Sequence, residues 1–187
     1  MLKTRKMVFI AILGALSFVL MLLNFPLLPG ADFLKLDFSI LPMLIGLVLF
    51  DLKSAYGVLV LRTLLKLLLD NGGAGTMIGL PMNVIALALF LAAFALLWKK
   101  TPTRKNFILA SVAGTVLLTL AMLVLNLVYA VPMYAQFANF DIGKFIGLGN
   151  YLWGMVLPFN LIEGAVFALV FGIVYLPCRP ILEKYTI

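Results

Sequence analysis

The chain has 187 residues, of which 65% are hydrophobic and only 11% charged, and its mean hydropathy is +1.19. A water-soluble domain of this length needs far more surface charge, so the composition excludes that class and indicates a polytopic membrane protein. One cysteine and no histidine exclude a disulfide framework and a clustered zinc or redox motif. The formal net charge of +7 does not indicate nucleic-acid binding, because the positions of the basic residues follow membrane topology.

Six apolar segments follow one another: residues 7–28, 40–50, 54–69, 76–98, 106–133 and 155–176. The first segment is broken near Pro26 and lacks a small-residue cleavage site, so we expect an uncleaved helix rather than a signal peptide. The second segment is short for a straight crossing, and only residues 51–53 separate it from the third, as in a helical hairpin. The sequence predicts an all-α polytopic membrane protein with six transmembrane helices in a single domain, residues 1–187.

Three connecting segments on one side of the membrane are elaborate. Residues 30–39 alternate apolar and polar side chains between Leu34 and Phe38, which predicts a short strand-like external loop between helices 1 and 2. Residues 70–75 are rich in glycine, which permits positive φ, and residues 134–150 combine aromatic residues with glycines. The loops on the other side are short and basic, so we expect a ligand to approach from the elaborate side.

The basic residues predict the orientation of the helices. Ten fall on one side of the membrane: Lys3, Arg5, Lys6, Lys53, Lys99, Lys100, Arg104, Lys105, Arg179 and Lys184. The opposite loops contain only Lys35 and Lys144, with Lys66 near a helix end. Because cytoplasmic loops carry an excess of lysine and arginine, we expect a multi-pass protein of the plasma membrane with both termini cytoplasmic.

The last apolar segment, MVLPFNLIEGAVFALVFGIVYL, places Asn160 and Glu163 one helical turn apart on roughly the same face. A charged group near the middle of a spanning helix costs ~2.5–3.5 kcal/mol or more, so it rarely occurs there without a partner or a role. Counting ~1.5 Å per residue from the predicted outer helix ends places other polar side chains in the same outer half of the membrane. These are Asn83, Asn126, Arg62 and Lys66.

We interpret this polar layer as the wall of a ligand cavity. The alternative is a set of interhelical hydrogen bonds, worth ~0.6 kcal/mol each on average, with Glu163 neutralised by Arg62 or Lys66. Amides and a carboxylate suit a neutral, hydrogen-bonding heterocycle better than an ion. Aromatic side chains that could cover a flat ring, or instead lie in an interfacial belt, are Phe33, Phe38, Tyr134, Phe137, Phe140, Tyr151 and Trp153.

Missing motifs restrict the class further. No GxxxxGK[ST] motif is present for ATP hydrolysis, and without histidine there is no Ser-His-Asp triad. The chain also shows no inverted repeat of the kind found in many secondary transporters. The binding subunit of a larger transporter fits these observations.

Five stretches resemble the substrate-binding S components of energy-coupling factor (ECF) transporters: AILGA, KLDFSILPMLIG, RTLLKLLL, GLPMNVIA and LPFNLIEGAVFALV. Within that family the chain is most similar to the riboflavin-binding members. The resemblance implies six helices and capture of riboflavin from the external side. It also implies delivery through a complex with a transmembrane coupling protein and two ATP-binding subunits, with riboflavin as transported ligand and no enzymatic activity or cofactor. Rival readings are an S component for thiamine or biotin, and a small membrane enzyme that acts on lipid.

The resemblance also assigns residues. Family ligand contacts correspond here to Leu36, Asp37, Phe38, Leu41, Asn83, Asn126, Asn160 and Glu163. Several relatives carry a lysine at the position of Glu163, so the family does not require a carboxylate there. The family's AxxxA motif, which meets the coupling protein, matches Ala11 and Ala15. Small residues four apart let another helix approach closely, although ordinary packing within the chain is the alternative.

Overall fold

The structure is a computed structural model that describes residues 2–31 and 33–185. Its elements, in chain order, are α1 (Leu2–Leu22), β1 (Phe25–Pro26), β2 (Lys35–Leu36), α2 (Ile40–Leu49), α3 (Leu52–Leu69), α4 (Ala74–Phe94), α5 (Arg104–Leu125), α6 (Val131–Phe137), α7 (Ile142–Phe145) and α8 (Leu157–Tyr185). Three π-helical segments extend these helices: Ala95–Lys99 after α4, Asn126–Ala130 between α5 and α6, and Asn150–Val156 before α8.

Within the described residues, four helical stretches are long and apolar enough to cross a membrane: Thr4–Leu22, Ala74–Lys99, Arg104–Phe137 and Asn150–Leu182. Helix α2 has only 10 residues, and the 18 residues of α3 include three basic ones. The mostly helical, multi-pass architecture is therefore confirmed. The number of spanning helices supported by length and composition is four, against the six predicted.

The ends of three helices differ from the prediction. Helix α1 ends at Leu22 instead of residue 28, because Asn24 donates from Nδ2 to the carbonyl oxygens of Met21 and Leu22 at 3.0 and 3.3 Å. The fifth predicted helix continues through a π-helical turn to Phe137, and Pro132 lies in the first turn of α6, where a missing N–H is tolerated. The sixth also extends past its predicted ends, from Asn150 to Tyr185.

The strand predicted in the first long loop is shorter than its sequence pattern. Strand β2 contains only Lys35 and Leu36 and pairs antiparallel with β1, with Phe25 opposite Leu36. It ends there because Asp37 Oδ1 accepts a hydrogen bond from the Ser39 amide at 2.7 Å and turns the chain into α2. The loop is thereby held across the end of the helix bundle.

The opposite end of the bundle is closed by charged contacts, and we call it the basic end. Asp51 caps α3 by accepting from the Ser54 amide at 2.8 Å, and its other carboxylate oxygen accepts from Lys6 at 2.7 Å. Although burial pushes the pKa of Asp51 upward, these hydrogen bonds outweigh it and hold the pKa at about 2. Lys99 donates to the carbonyl oxygens of Leu47 and Phe50 at the end of α2. The predicted α2–α3 hairpin is present and tied to α1 and α4.

Next to the basic end, toward the middle of the bundle, lies an aromatic cluster formed by Phe90, Phe94, Trp98, Phe107, Phe171 and Tyr175. Phe90 and Phe94 stack with ring centroids 5.1 Å apart, and Phe94 meets Phe171 edge-on at 5.9 Å. Such geometry adds about 0.5–1.5 kcal/mol per pair beyond burial. Gly114 of α5 allows this packing, since a Cβ there would lie 3.0 Å from the Phe90 ring. The cluster joins α4, α5 and α8 into one rigid core.

Candidate functional site

The candidate site lies at the end of the bundle opposite the basic end, beneath the loop that carries β2. Two cavities meet there. The inner cavity, about 170 Å³, lies between α4, α5 and α8, and the outer cavity, about 450 Å³, opens beside α3 and the first loop. Phe33, Lys35, Gly79, Asn83 and Tyr134 line both, so the cavities are adjoining parts of one site.

Helical periodicity brings the walls of the inner cavity together. Gly79 and Asn83 lie four residues apart on α4, as do Phe159 and Glu163 on α8, and both pairs face the cavity. Met122 of α5 and Asn126 of the following π-helical turn supply a third wall with the same spacing. Three of the four predicted polar-layer residues on these helices therefore meet in one place.

Asn126 is a buried part of the wall, and its amide group is already hydrogen-bonded. Its Nδ2 donates to the Met122 carbonyl at 2.8 Å, and its Oδ1 accepts a hydrogen bond from the Tyr151 hydroxyl. Tyr151 in turn lies against Phe33, with ring centroids 6.1 Å apart. Asn126 thus fixes the position of an aromatic side chain at the cavity, in addition to lining it.

Asn83 is oriented by an arginine that is fully buried. Arg62 Nη2 donates to Asn83 Oδ1 at 2.9 Å, while Nη1 lies 2.9 Å from the sulfur of Met21. Because its oxygen accepts from Arg62, Asn83 presents its Nδ2 as a hydrogen-bond donor to the cavity. Among the described residues, Arg62 Nε has no hydrogen-bond partner.

Glu163 lies in the inner cavity with only 8% of its surface exposed. The alternative in which Arg62 or Lys66 neutralises it is wrong for the described residues. Lys66 forms its ion pair with Asp70, and Arg62 donates to Asn83. The Glu163 carboxyl group is therefore left to face the cavity as a hydrogen-bonding group.

Asn160 was predicted to line the cavity together with Asn83, Asn126 and Glu163. It is instead fully buried and lines neither cavity. Its Nδ2 donates to the Val156 carbonyl at 2.7 Å, and its Oδ1 has no hydrogen-bond partner within the described part of the chain. A buried acceptor without a partner is costly, by about 1–3 kcal/mol. Asn160 lies one turn from Glu163, just behind the cavity wall.

The residues predicted in the first loop separate into two groups. Asp37 lines the outer cavity, where burial raises the pKa of its carboxyl group while hydrogen bonds from Ser39 and the charges of Arg62 and Lys66 oppose the rise. The other three pack away from both cavities: Leu36, Phe38 and Leu41. Successive side chains of β2 point to opposite faces, so Leu36 turns away while its neighbour Lys35 lines both cavities, and Leu41 already belongs to α2.

Among the aromatic residues predicted at the site, Phe33, Tyr134 and Tyr151 line the inner cavity. They also border an apolar pocket of about 210 Å³ that reaches Phe140. The remaining members of the predicted set do not reach the cavities. Phe38 packs on Phe25, and Phe137 and Trp153 are 67% and 65% exposed, as interfacial belt residues are.

The sequence interpretation missed several wall residues, chiefly Gly79, Met122 and Lys35. The first two could have been found from helical spacing, because each lies four residues before a predicted asparagine. Lys35 carried no such signal, since its position depends on the pairing of β1 with β2. Within the described residues, no group of three histidine, cysteine, aspartate or glutamate side chains could hold a metal ion.

The predicted docking residues Ala11 and Ala15 are exposed on α1, on a face that the rest of the described chain leaves uncovered. The residue that packs closely inside is Gly14, where a Cβ would lie 2.5 Å from the Leu61 side chain. The alternative of intramolecular packing for these two alanines is therefore wrong. Small side chains on an open helix face permit the close approach of another helix.

Comparison with known proteins gives consistent matches over nearly the whole chain. The family model described as "ECF transporter, substrate-specific component" matches residues 5–175. The riboflavin transporter RibU of Streptococcus thermophilus is 62% identical over 184 residues, covering 98% of this chain and 87% of the relative. RibU of Leuconostoc mesenteroides is 43% identical over 98% of this chain and 95% of its own length. The riboflavin transporter FmnP of Bacillus subtilis is 32% identical, covering 97% and 96%.

A solved structure described as "Structure and mechanism of the S component of a bacterial ECF transporter" has a similar fold. The TM-score is 0.78 with 26% sequence identity, and the match covers 97% of this chain and 99% of that one. The likeness therefore extends over nearly the whole chain.

Proposed function

This chain belongs to the substrate-specific (S) components of ECF transporters, and on that premise we propose that it captures riboflavin at the inner and outer cavities from the external side. The prediction of a transporter subunit rather than an enzyme is confirmed, since the family is a transporter component and the relatives are riboflavin transporters. Riboflavin is the transported ligand in this proposal, and no resident cofactor is needed.

The observation that carries the proposal is the pairing of polar and aromatic groups at one cavity. The Asn83 amide is a donor and the Glu163 carboxyl group is free of ion pairs among the described residues, beside the rings of Phe33 and Tyr151. A flavin offers a flat ring system, an imide edge with both donors and acceptors, and a chain of hydroxyl groups. Aromatic walls suit the ring, and the amide and carboxyl groups suit the imide and hydroxyls.

We propose one domain over residues 1–187 with six membrane crossings, in which α2 and α3 complete the four long apolar helices. The basic end would face the cytoplasm with both termini, because it collects most of the lysines and arginines. The outer cavity then opens to the exterior, as uptake requires. Short α2 is compatible with a crossing only if the bilayer thins locally or the loop ends lie within it.

Energy for uptake would come from partners: a transmembrane coupling protein and two ATP-binding subunits. This chain itself would lie in the lipid bilayer and would not bind nucleic acid. The exposed small residues Ala11 and Ala15 of α1 are the proposed docking surface. Their replacement by tryptophan should abolish copurification with the coupling protein and leave riboflavin affinity within a few-fold. Val112→Trp, on the exposed face of α5, is the matched control and should still copurify.

Purified protein tests the proposed ligand directly. A yellow preparation with flavin absorption, and quenching of riboflavin fluorescence on titration, is the expected result. A colourless protein that binds thiamine or biotin would contradict riboflavin while leaving the transporter family intact. In liposomes the lone protein should bind riboflavin without accumulating it, and sustained uphill uptake without partners would contradict the need for a coupling module.

A further inference from the structure

A separate cavity of substantial size lies at the basic end, far from the proposed riboflavin site. This basic-end groove has a volume of about 460 Å³ and lies between the start of α5 and the last turns of α8. Its lining is mainly apolar, with two arginines: Trp98, Phe107, Gly172, Tyr175, Arg104 and Arg179. Asn83 and Trp98 are 15 residues apart along α4 and its π-helical extension, so the groove is roughly 22 Å from the riboflavin cavity.

The floor of the groove is held by packed aromatic rings, and a glycine leaves the space above it open. Trp98 and Phe107 meet edge-on with ring centroids 5.7 Å apart, and both belong to the aromatic cluster. Across from them, Gly172 has no side chain, and a Cβ there would lie 3.4 Å from the end of the Phe107 ring. Any longer side chain at position 172 would enter the groove.

The groove lies where two of the helical stretches that are long and apolar enough to cross a membrane begin and end. Arg104 is the first residue of the apolar stretch Arg104–Phe137, and Arg179 comes three residues before the end of Asn150–Leu182. The apolar lining continues outward to Ile108 and Leu176, which are 63% and 70% exposed and would face lipid in the proposed membrane crossing. An exposed apolar lining bordered by two arginines suits a ligand with both an apolar chain and a charged head group, rather than a fully water-soluble ligand.

We propose that the basic-end groove binds an anionic phospholipid, with its phosphate between Arg104 and Arg179 and an acyl chain along the apolar floor. The charges are complementary, because guanidinium groups bind phosphate oxygens with two parallel hydrogen bonds. The neighbouring Lys100 and Lys105 add to the positive potential that attracts anionic lipid. Exposed apolar lining supplies the surface that a free phosphate or a soluble phosphate ester would leave uncovered.

The test measures lipid binding to the purified full chain by native mass spectrometry, with phosphatidylglycerol and phosphatidylcholine of identical acyl chains. We expect preferential binding of phosphatidylglycerol. The double variant R104Q/R179Q should lose about 25-fold of that affinity, since each basic residue near a membrane surface contributes about five-fold. Lys53→Gln removes an exposed charge from the same end outside the groove and should change binding by less than two-fold.

A second variant tests the apolar floor. Gly172→Leu should weaken retention of both lipids by filling the groove, whereas glycerol phosphate, which lacks acyl chains, should not bind measurably to the unmodified protein. Riboflavin affinity should stay within two-fold in the arginine variant, so a failure of the lipid proposal is distinguishable from a failure of the riboflavin proposal.

Three results would overturn the assignment. One is equal binding of the two phospholipids, and another is an equal loss of phosphatidylglycerol binding in Lys53→Gln and the arginine variant. The third is loss of assembly with the coupling protein in the arginine variant while lipid preference is unchanged, because the groove would then be a protein-docking surface.

Discussion

Helix α4 passes through two regions built on opposite principles. Near its start, Gly79 and Asn83 face the cavities, and in the buried layer behind the cavity walls Arg62 Nε and Asn160 Oδ1 lack hydrogen-bond partners within the described residues. Near its end, Phe90 and Phe94 belong to the aromatic cluster, whose rings lie 5.0–6.2 Å from their neighbours. One end of the bundle leaves polar groups facing a cavity where a ligand could bind them, and the other end is filled with packed aromatic rings.

The contrast teaches where stability and recognition are located. Close packing of large rings favours the folded state, whereas buried polar atoms without partners lower its stability unless a ligand satisfies them. Two π-helical segments, Asn126–Ala130 and Asn150–Val156, also lie at the cavity end, as such segments often do at functional sites. We therefore expect substitutions in the two regions to affect different measurements.

The largest effect on stability should come from Phe94→Ala. Phe94 is fully buried and contacts Phe90, Trp98, Phe107 and Phe171. Its loss should reduce the free energy of unfolding by about 3 kcal/mol. This is the lower end of the range for such changes, because the unfolded helices remain in an apolar environment and only packing contacts are lost. Thermal unfolding in detergent measures this, with exposed Phe145→Ala as control. If the riboflavin affinity of the folded variant also fell, the separation of stability and recognition between the two regions would be contradicted.

Asn83→Leu should weaken both properties, because Asn83 belongs to the cavity and is also a partner of buried Arg62. Losing a donor to the ligand and a hydrogen bond to a charged group should each cost about 1.5–3 kcal/mol, which is roughly a ten- to hundred-fold loss in affinity. Fluorescence titration of riboflavin and thermal unfolding measure the two effects.

The double variant R62M/N83L sharpens this result. Removing the buried charge together with its partner should restore much of the stability lost in Asn83→Leu, while affinity stays low. If the double variant were less stable than Asn83→Leu, Arg62 would have other partners that matter more than Asn83.

Glu163→Gln should show a smaller effect, confined to recognition. Because Glu163 forms no ion pair among the described residues, the substitution keeps the shape of the side chain without leaving a cation unpaired. Riboflavin affinity should fall about five-fold, as expected for a hydrogen bond worth about 1 kcal/mol, with unfolding unchanged. Glu163→Ala is the comparison for lost shape. A fall in stability with unchanged affinity would assign Glu163 a structural role instead.

Asp51→Ala, at the basic end, should have the smallest effect, about 1 kcal/mol of stability from the lost helix cap, since a half-exposed ion pair with Lys6 adds little. Because its pKa is lowered to about 2 from 3.8, the contribution of Asp51 is present above pH 4 and is lost as the pH falls toward 2. Asp51→Asn keeps a capping side chain and should be nearly neutral. Equal losses in the two variants would contradict capping as the main contribution.

The predicted docking residues and the predicted first-loop residues lie in different surroundings in the structure. Ala11 and Ala15 were assigned to docking by the family's AxxxA motif, with which their helical spacing agrees, and the structure leaves that helix face open. Leu36, Phe38 and Leu41 were assigned to the ligand from their resemblance to family motifs, and they pack in the core instead. A helix face follows from local geometry, whereas the direction of a loop side chain depends on the strand it pairs with.

By itself, the sequence determined the membrane class, the mostly helical architecture, the family and the presence of polar groups at one depth. The membrane class, the helices and the polar layer follow from hydropathy, charge and helical rise along the chain, and the family follows from the resemblance of short motifs, so all of them are readable locally. Only the tertiary structure decided which polar groups pair: Arg62 with Asn83, 21 residues apart, and Tyr151 with Asn126, 25 apart. Because those hydrogen bonds depend on distances between separate helices, packing alone left Glu163 facing the cavity and turned Asn160 behind its wall.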